Sequence, residues 1–309
     1  MKNVLVMGGS YFVGRTLVLE LAGNPKYSLH VLNRGNAPVK HPGVTQLICD
    51  RNNHLQLKQT LEPHRFHTVI DFCAYTPEQV TSLLQTLGNK GVQHYILISS
   101  SAIYEATSQL PVAEDAPKLT SPQPELGPAA HYGFDKWRTE YASMARCKRQ
   151  GIHYTHLRPC IIYGKFNYAP RESYFFDLIR KDLPVVLPKN DLPLFSFVHV
   201  RDVARAVILC LENNQSLDAV YNLAAPELIG YSGFVETIGQ VMGKEVCVRK
   251  QSAEEINASR IPLPFPLDSH LLYSGEKICQ SLGLAYTPLK IGLAETWEWF
   301  RQTQIAPDE

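Results

Sequence analysis

Short runs of apolar, often β-branched residues alternate with amphipathic segments of helical period over the first two thirds of the chain. The apolar runs predict strands at Asn3–Met7, Leu29–Leu32, Val44–Ile48, Thr68–Phe72, Tyr95–Ser99 and Tyr154–Leu157. The segments between them predict helices at Val13–Ala22, Pro77–Gly88 and Gly133–Gln150. Strands that alternate with helices at this spacing form βαβ units, so the pattern predicts an α/β fold with a doubly wound, mostly parallel sheet of Rossmann type.

The alternation weakens after about residue 164, which indicates a change of organisation. We expect residues 1–164 to form a first domain and residues 165–309 a smaller C-terminal lobe, with segments around residues 195–225 returning to the first domain. The proline-rich stretch Gln109–Pro128 is too long for a plain connection between a strand and a helix. It predicts a surface excursion or a lid over a site.

Composition and charge exclude several classes of protein. The 309 residues are 45% hydrophobic and 19% charged, as in an ordinary globular protein, and a formal net charge of +1 gives no field that draws nucleic acid or an anionic membrane. No apolar run reaches the roughly 18 residues of a membrane span, and the N-terminal VLVMGG carries no signal-peptide pattern. Seven scattered cysteines without a C-x-x-C motif indicate reduced thiols, a cytoplasmic location and no metal site.

A glycine-rich loop, MGGSYFVG, follows the first predicted strand and opens a predicted helix. Gly8 suits a tight turn, Gly9 allows the backbone to approach a phosphate, and Gly14 allows the helix to pack closely on the strand. The positive end of the helix favours an anion. A plain strand–turn–helix connection is the alternative. The candidate cofactor contacts in this loop are Gly8, Gly9, Ser10, Tyr11, Phe12, Val13 and Gly14.

Asn33 and Arg34 follow the second predicted strand. Sites that prefer NAD place Asp or Glu here, where the carboxylate accepts a hydrogen bond from the ribose 2′-hydroxyl. Asn33 lacks the charge that repels a 2′-phosphate, and the Arg34 guanidinium pairs with phosphate. The segment therefore favours NADP over NAD, whereas a turn with a solvated arginine is the alternative.

Further candidate cofactor contacts stand where other predicted strands end, because ligands bind at the carboxyl ends of strands in such sheets. Asp50 is a candidate partner for an adenine amino group. Arg158–Gly164 is expected to form the floor between the cofactor and the substrate. The candidates at these strand ends are Asp50, Arg51, Phe72, Cys73, Ala74, Ser99 and Pro159.

Tyr132 and Lys136 lie four residues apart, on one face of a predicted helix. A phenol with a pKa near 10 is a poor acid–base catalyst at neutral pH, but a nearby lysine cation lowers that pKa. A serine of the preceding SSS segment can then hold a substrate oxygen while the tyrosine passes the proton and a nicotinamide passes the hydride. A solvated tyrosine–lysine pair is the alternative.

Five motifs in family order resemble those of extended short-chain dehydrogenase/reductases of the NAD-dependent epimerase/dehydratase type: GGSYFVG, SSSAIY, YGFDK, LRPCIIYG and FSFVHVRDVARA. The resemblance implies that Tyr132 and Lys136 are catalytic and that both also contact the cofactor. It also implies that Ser100 is the active serine, because the family's hydroxyl residue stands four positions before the tyrosine that closes its motif, here Tyr104. Residues 1–164 would then bind NAD(P), and residues 165–309 would mainly bind a nucleotide sugar or a related hydroxyl or carbonyl compound.

Two departures from the family pattern change these expectations. Ser101 and Ala102 replace the Asp-Glu pair that dehydratases use, so sugar dehydration is not expected. Tyr11 replaces a loop glycine, and its ring is expected to cover part of the cofactor. Together with NRG and RPCIIYGKFNYAPRESYFF, these features resemble the subgroup of chloroplast stem-loop-binding proteins. That subgroup is associated with RNA binding and cleavage and tends to lack the catalytic tyrosine, which this chain retains.

On the substrate side, polar and basic residues suit a diphosphate or a carboxylate. The candidates are Lys165, Asn167, Arg171 and Arg201. A structural ion pair is the alternative for each, above all for Arg201 beside Asp202. The aromatic cluster Tyr168, Tyr174, Phe175 and Phe176 is expected to be core.

Several alternatives stay open at this level. An epimerase retains one NAD, whereas a reductase releases NADP after each turnover, and the motifs do not separate the two. An RNA-binding or RNA-cleaving protein on the same fold is the rival interpretation, although the chain shows no stripe of lysine and arginine. A cofactor-sensing scaffold without turnover is a third. The helix Gly133–Gln150 permits a homodimer, and a monomer is equally open.

Overall fold

The computed structural model of the protein describes residues 1–88 and 91–304. Its strands are β1 (Lys2–Met7), β2 (Tyr27–Asn33), β3 (Val44–Ile48), β4 (Thr68–Asp71), β5 (His94–Ile98), β6 (His153–Pro159), β7 (Ile161–Tyr163), β8 (Val185–Pro188), β9 (Phe195–His199), β10 (Ala219–Leu223), β11 (Leu228–Ile229) and β12 (Val248–Gln251). Its α-helices are α1 (Phe12–Leu21), α2 (His54–Leu61), α3 (Pro77–Leu87), α4 (Tyr132–Gln150), α5 (Glu172–Arg180), α6 (Val200–Glu212), α7 (Tyr231–Met242), α8 (Ala253–Ala258), α9 (Glu276–Leu282) and α10 (Leu289–Thr303).

A parallel sheet of seven strands, in the order β10-β6-β5-β4-β1-β2-β3, forms the centre of the described chain. β1 is apolar on both faces, because Val4 and Val6 pack towards α1, α6 and α9, while Leu5 and Met7 pack towards α2, α3 and α4. This two-sided burial explains the continuous apolar run in the sequence. The α/β class and the doubly wound arrangement are confirmed.

The strand order reverses at β1, which lies between β2 and β4. A ligand crevice opens at such a switch point, at the carboxyl ends of the strands. The sequence-predicted strands and helices lie within about two residues of the observed ones. The differences are at the ends, where α1 begins at Phe12 and α4 begins at Tyr132, one residue before the predicted starts.

Outside the central sheet, a second region of the described chain contains a three-stranded sheet, β11-β9-β7, and a two-stranded one, β12-β8. Its core is aromatic: Phe197 stacks on Phe234 at 4.9 Å between ring centroids, and Phe175 and Phe176 are fully buried. Tyr168 does not belong to this core, since its residue surface is 76% exposed, and the expectation that the whole cluster is core was wrong at this position. Within the described residues, no helix is both long and apolar enough to cross a membrane.

Candidate active site

A cavity of about 1410 Å³ lies at the carboxyl ends of the central strands. It begins at the glycine loop, passes Tyr132 and Lys136, and ends against the segment Ser269–Tyr273. Gly9 and Ala74 do not line it. The predicted cofactor contacts that line it are Gly8, Ser10, Tyr11, Phe12, Val13, Gly14, Asn33, Arg34, Asp50, Arg51, Phe72, Cys73, Ser99 and Pro159.

The glycine loop has the shape that a pyrophosphate requires. A Cβ on Gly14 would stand 2.5 Å from the carbonyl oxygen of Gly8, and Gly8 has φ = +86° beside Cys73. No side chain caps the first turn of α1, so the helix N-terminus faces the cavity without a competing protein acceptor. Gly9 has a packing role instead, because its Cβ would meet Val18 at 2.9 Å. The residues present therefore fit a dinucleotide.

At the end of β2, Asn33 takes part in a turn. Its amide donates to Ser10 Oγ at 2.6 Å, and its Oδ1 accepts from the Gly35 N–H at 2.8 Å. Arg34 is exposed at the rim of the cavity. The turn that the sequence offered as an alternative is therefore present. Among the described residues, no hydrogen bond or ion pair holds the Arg34 side chain in one direction.

A buried ion pair lies beside the glycine-loop end of the cavity. The Arg51 guanidinium donates to both carboxylate oxygens of Asp71, at 2.8 and 3.0 Å, and Tyr95 Oη donates to Asp71 Oδ2 at 2.9 Å. Burial would raise the pKa of Asp71, but Arg51, the Cys73 N–H and Tyr95 together hold it below its usual value. Arg51 thus borders the cavity while its guanidinium is committed to Asp71, a residue that the sequence analysis did not single out.

Ser100, Tyr132 and Lys136 line the same part of the cavity. Ser100 follows β5 and accepts from the Ala102 N–H at 3.1 Å, while Tyr132 is the first residue of α4. A Cβ on Gly133 would overlap the carbonyl oxygen of Ala102. The start of α4 can therefore approach the serine segment only because residue 133 is glycine.

Lys136 lies one turn further along α4 and is 3% exposed. Its ammonium donates to the carbonyl oxygens of Ala74 and Ile98, both at 2.9 Å, and faces the Tyr75 ring at 4.8 Å. Burial lowers the pKa of Lys136 to about 8, and the nearby Arg51 cation lowers it slightly further. Asp71, Cys73 and Glu140 act in the opposite direction but do not cancel the effect of burial. Ala74 thus serves this site through its backbone oxygen.

The expected lowering of the Tyr132 pKa is not found. Burial raises this pKa, although the Ser100 hydroxyl and the charge of Arg171 oppose the rise. The reason is geometric: the Lys136 ammonium is turned towards the two carbonyl groups. A neutral phenol beside a serine hydroxyl is suited to donate a proton to a substrate oxygen; it could act as a base only after a bound ligand had lowered its pKa.

Of the four candidate substrate contacts, the structure places one at the cavity and three away from it. Arg171 lines the cavity and donates to the Ile162 carbonyl at 2.8 Å. Lys165, Asn167 and Arg201 do not line it. Asn167 donates to the Glu172 carboxylate at 3.1 Å, and Arg201 pairs with Glu295 rather than with its neighbour Asp202.

The sequence analysis missed part of the far wall. Leu271, Leu272 and Tyr273 line the cavity, and so do residues of the proline-rich excursion, including Leu110 and Leu126. The excursion and the 269–273 segment meet through a hydrogen bond from the Val112 N–H to the Leu272 carbonyl at 2.8 Å. The excursion was recognisable from its length, whereas nothing in the local sequence of 269–273 indicates a site.

Comparison with known proteins adds to this geometry. Residues 4–224 match the model of the NAD dependent epimerase/dehydratase family. The chain is 26% identical over 302 residues to the chloroplast stem-loop binding protein of 41 kDa b from Arabidopsis thaliana, covering 91% of this chain and 74% of that one. It is 30% identical over 283 residues to a UDP-glucose 4-epimerase from Lactobacillus helveticus, covering 79% of this chain and 83% of that one.

Solved structures share the fold. The UDP-glucuronic acid 4-epimerase from Bacillus cereus, in complex with NAD, superposes with a TM-score of 0.78 at 17% identity. The match covers 97% of this chain and 96% of that one. The two chains therefore share a fold.

Proposed function

This chain belongs to the NAD dependent epimerase/dehydratase family, and we propose that it is an NAD(P)-dependent epimerase or reductase of the extended short-chain dehydrogenase/reductase type. The proposed substrate is a nucleotide sugar or a related compound with a hydroxyl or carbonyl group. One observation carries the proposal: Ser100, Tyr132 and Lys136 line the cavity that begins at the glycine loop. The UDP-sugar epimerases among the relatives support the substrate class.

In this proposal each side chain has a separate task. Ser100 holds the substrate oxygen, and Tyr132 exchanges a proton with that oxygen. Lys136, fixed by the Ala74 and Ile98 carbonyls, supplies a buried positive charge below pH about 8. The bound dinucleotide supplies the hydride chemistry. Arg171 is the proposed contact for a negative charge on the substrate.

The remaining cofactor contacts proposed are the lining residues of the glycine loop and the strand ends. The cofactor is a nicotinamide dinucleotide, and we propose NADP(H) as the preferred form. Arg34 at the rim and the uncharged Asn33 support this proposal. The structural neighbour that holds NAD supports the opposite preference, and a direct comparison of the two nucleotides decides between them.

We further propose that residues 1–164 bind the cofactor and that residues 165–309 mainly bind the substrate, with segments around 195–225 returning to the first domain. The position of β10 at the edge of the central sheet supports that return. A cytoplasmic location and a homodimer through α4 are likewise proposals. The exposed Tyr141 on α4 is compatible with such a contact.

The first experiment is a fluorescence titration of the purified protein with NADPH and NADH, for the wild type and Arg34→Ala. We expect tighter NADPH binding in the wild type and equal binding of both nucleotides in the variant. The protein is also denatured beforehand in a separate sample, to release and identify any dinucleotide already bound. If no dinucleotide binds or is released, the oxidoreductase proposal fails.

The second experiment incubates the protein with UDP-glucose and UDP-glucuronic acid, with and without added NADPH. Formation of the 4-epimer supports an epimerase, and consumption of NADPH with a carbonyl substrate supports a reductase. The Arabidopsis relative gives a specific reason to include one stem-loop RNA in a gel-shift assay. Specific RNA binding in a protein that binds no dinucleotide would replace the proposal by the rival one.

A further inference from the structure

Tyr168 is unlike the other aromatic residues near the start of the C-terminal lobe. Phe175 and Phe176 are fully buried, whereas Tyr168 is 76% exposed and still lines the large cavity. Removing the faces of a tyrosine ring from water lowers the free energy of the system. The exposed ring therefore offers its surface to whatever fills the cavity.

The Tyr168 ring lies beside the glycine loop. It meets Phe12, the first residue of α1, edge to face, with 6.2 Å between centroids and an angle of 81°. Tyr168 also lines the same cavity as Tyr75 and Tyr132. The ring therefore stands next to the proposed phosphate site, in the cavity that also holds the proposed acid–base tyrosine.

The segment that carries Tyr168 is anchored on both sides. Phe166 has φ = +65°, a conformation that a large side chain rarely adopts. Its ring lies 4.7 Å below the Arg15 guanidinium of α1 and 5.4 Å from the Trp299 ring of α10. These contacts join the first domain to the C-terminal helix across the segment.

The same segment is also held by its own polar groups. Glu172 is 1% exposed, and its carboxylate accepts from the Gly164 N–H at 2.9 Å and from the Asn167 amide at 3.1 Å. Asn167 Oδ1 in turn accepts from the Ala169 N–H at 3.0 Å. The backbone on both sides of Tyr168 is therefore fixed, and the ring is presented by a preorganised loop.

We propose that Tyr168 is a cofactor-holding residue: carried by the segment Lys165–Pro170, its ring covers the bound dinucleotide and slows its release, so that one cofactor stays through successive turnovers. The inference rests on the proposed function, and it distinguishes an epimerase from a reductase. An epimerase returns the hydride to the same carbon and needs no exchange of cofactor, whereas a reductase must release its oxidised cofactor. Slow release therefore favours the epimerase.

The test measures release of NADH, and in parallel of NADPH, from the loaded protein by stopped-flow fluorescence during a chase with excess oxidised nucleotide. Tyr168→Ala is expected to release the nucleotide about tenfold to a hundredfold faster than the wild type, because it removes a large ring from the contact. Tyr168→Phe keeps the ring and is expected to stay within about threefold of the wild type. Leu192→Ala is the matched control, since Leu192 has the same 76% exposure but does not line the cavity.

Equal release rates for Tyr168→Ala, Leu192→Ala and the wild type would overturn the inference while leaving the proposed function intact. A wild type that binds neither nucleotide would overturn both. Phe166→Ala provides an independent test, because it removes the anchor and keeps the ring. Faster nucleotide release in this variant, with an unchanged midpoint of thermal unfolding, would support the proposal that the segment Lys165–Pro170 holds the Tyr168 ring in place. An unchanged release rate would contradict that proposal.

Discussion

The two halves of the cavity are built in different ways. The proposed cofactor half lies mainly on the glycine loop and on the stretches that follow β1 to β4, within residues 7–79, and the backbone of the glycine loop sets its shape. The proposed substrate half is assembled through side chains from distant stretches, residues 104–126, 160–162 and 269–273, together with Arg171. A short stretch of sequence therefore specifies the first half, whereas the second depends on which loops the fold brings together.

The charged residues differ in the same way. Beneath the cofactor half, Arg51 and Asp71 form a buried pair with several hydrogen bonds. Outside the cavity, Arg201 pairs with Glu295 at a partly exposed position. Burial makes the first pair sensitive to the loss of either partner, while solvent weakens the second.

The largest effect is expected for Tyr132→Phe, which removes the proton donor and keeps the ring. Turnover of the identified substrate should fall about 10²–10⁴-fold. The affinity for the dinucleotide, measured by fluorescence titration, should stay near the wild-type value, since the substitution leaves the glycine loop intact. Tyr141→Phe, which removes a hydroxyl from an exposed position on α4, is the control. Full activity in Tyr132→Phe would exclude this tyrosine as the acid–base group.

Asp71→Asn tests the buried pair under the cofactor half. The substitution leaves the Arg51 guanidinium buried without its counter-charge, so the free energy of unfolding should fall by about 3–5 kcal/mol. Arg201→Ala, at the partly exposed pair, should cost about 1 kcal/mol or less. Urea denaturation of both variants measures the difference. Equal losses would contradict the distinction drawn between the buried pair and the partly exposed pair.

Gly14→Ala tests the backbone origin of the cofactor half. The added Cβ meets the Gly8 carbonyl oxygen, so the loop must shift, at a cost of about 1–3 kcal/mol. We expect dinucleotide binding to weaken by about tenfold or more at constant overall helix content, measured by fluorescence and circular dichroism. Gly23→Ala, at a positive-φ glycine with no atom within 4 Å of its Cβ position, separates backbone strain from this overlap.

Arg171→Ala tests the side chains of the substrate half. Loss of a charge-assisted hydrogen bond to an anionic substrate should raise KM by about tenfold to a hundredfold, with kcat and dinucleotide affinity little changed. Lys165→Ala should leave KM unchanged, because Lys165 does not line the cavity. The two variants are compared by steady-state kinetics. A larger effect at Lys165 would mean that the substrate lies outside the cavity.

Lys136 is also expected to add a pH dependence to the free energy of unfolding. Its pKa is about 8 in the folded chain and near 10.5 when unfolded, so between these values the unfolded chain binds more protons. Stability should therefore rise with pH in this window, by up to about 1.4 kcal/mol per pH unit, while activity falls above pH about 8. Urea unfolding at pH 7.5, 8.5 and 9.5 tests this, and Lys136→Met should lack the contribution.

Several features of the site were accessible from the sequence because they depend on local chemistry. The loop MGGSYFVG specifies a turn that only glycine can make at Gly8, and the spacing of Tyr132 and Lys136 sets them on one helical face. The alternation of strands and helices predicted six of the seven central strands within about two residues at each boundary, and it did not predict β10. These patterns extend over only a few residues, and at that distance the backbone geometry alone determines which local structure forms.

Other features required the folded chain. Arg51 and Asp71 are 20 residues apart in the sequence. They meet because β3 and β4 are parallel, so that their carboxyl ends lie on the same side of the sheet. The substrate candidates Asn167 and Arg201 looked available in the sequence, and the fold satisfied them with Glu172 and Glu295. Tyr168 belonged to an apparently buried aromatic run until its loop carried it into the cavity.

The sequence by itself determined the α/β class, the glycine loop and the spacing of Tyr132 and Lys136 on one helical face, because hydrophobic period and glycine placement act through neighbours along the chain. Only the tertiary structure decided which cations are free to meet a substrate and which tyrosine faces the cavity. The physical reason is that a charge or a ring takes the best partner available in space, and the fold, rather than the order of residues, determines which partners are near.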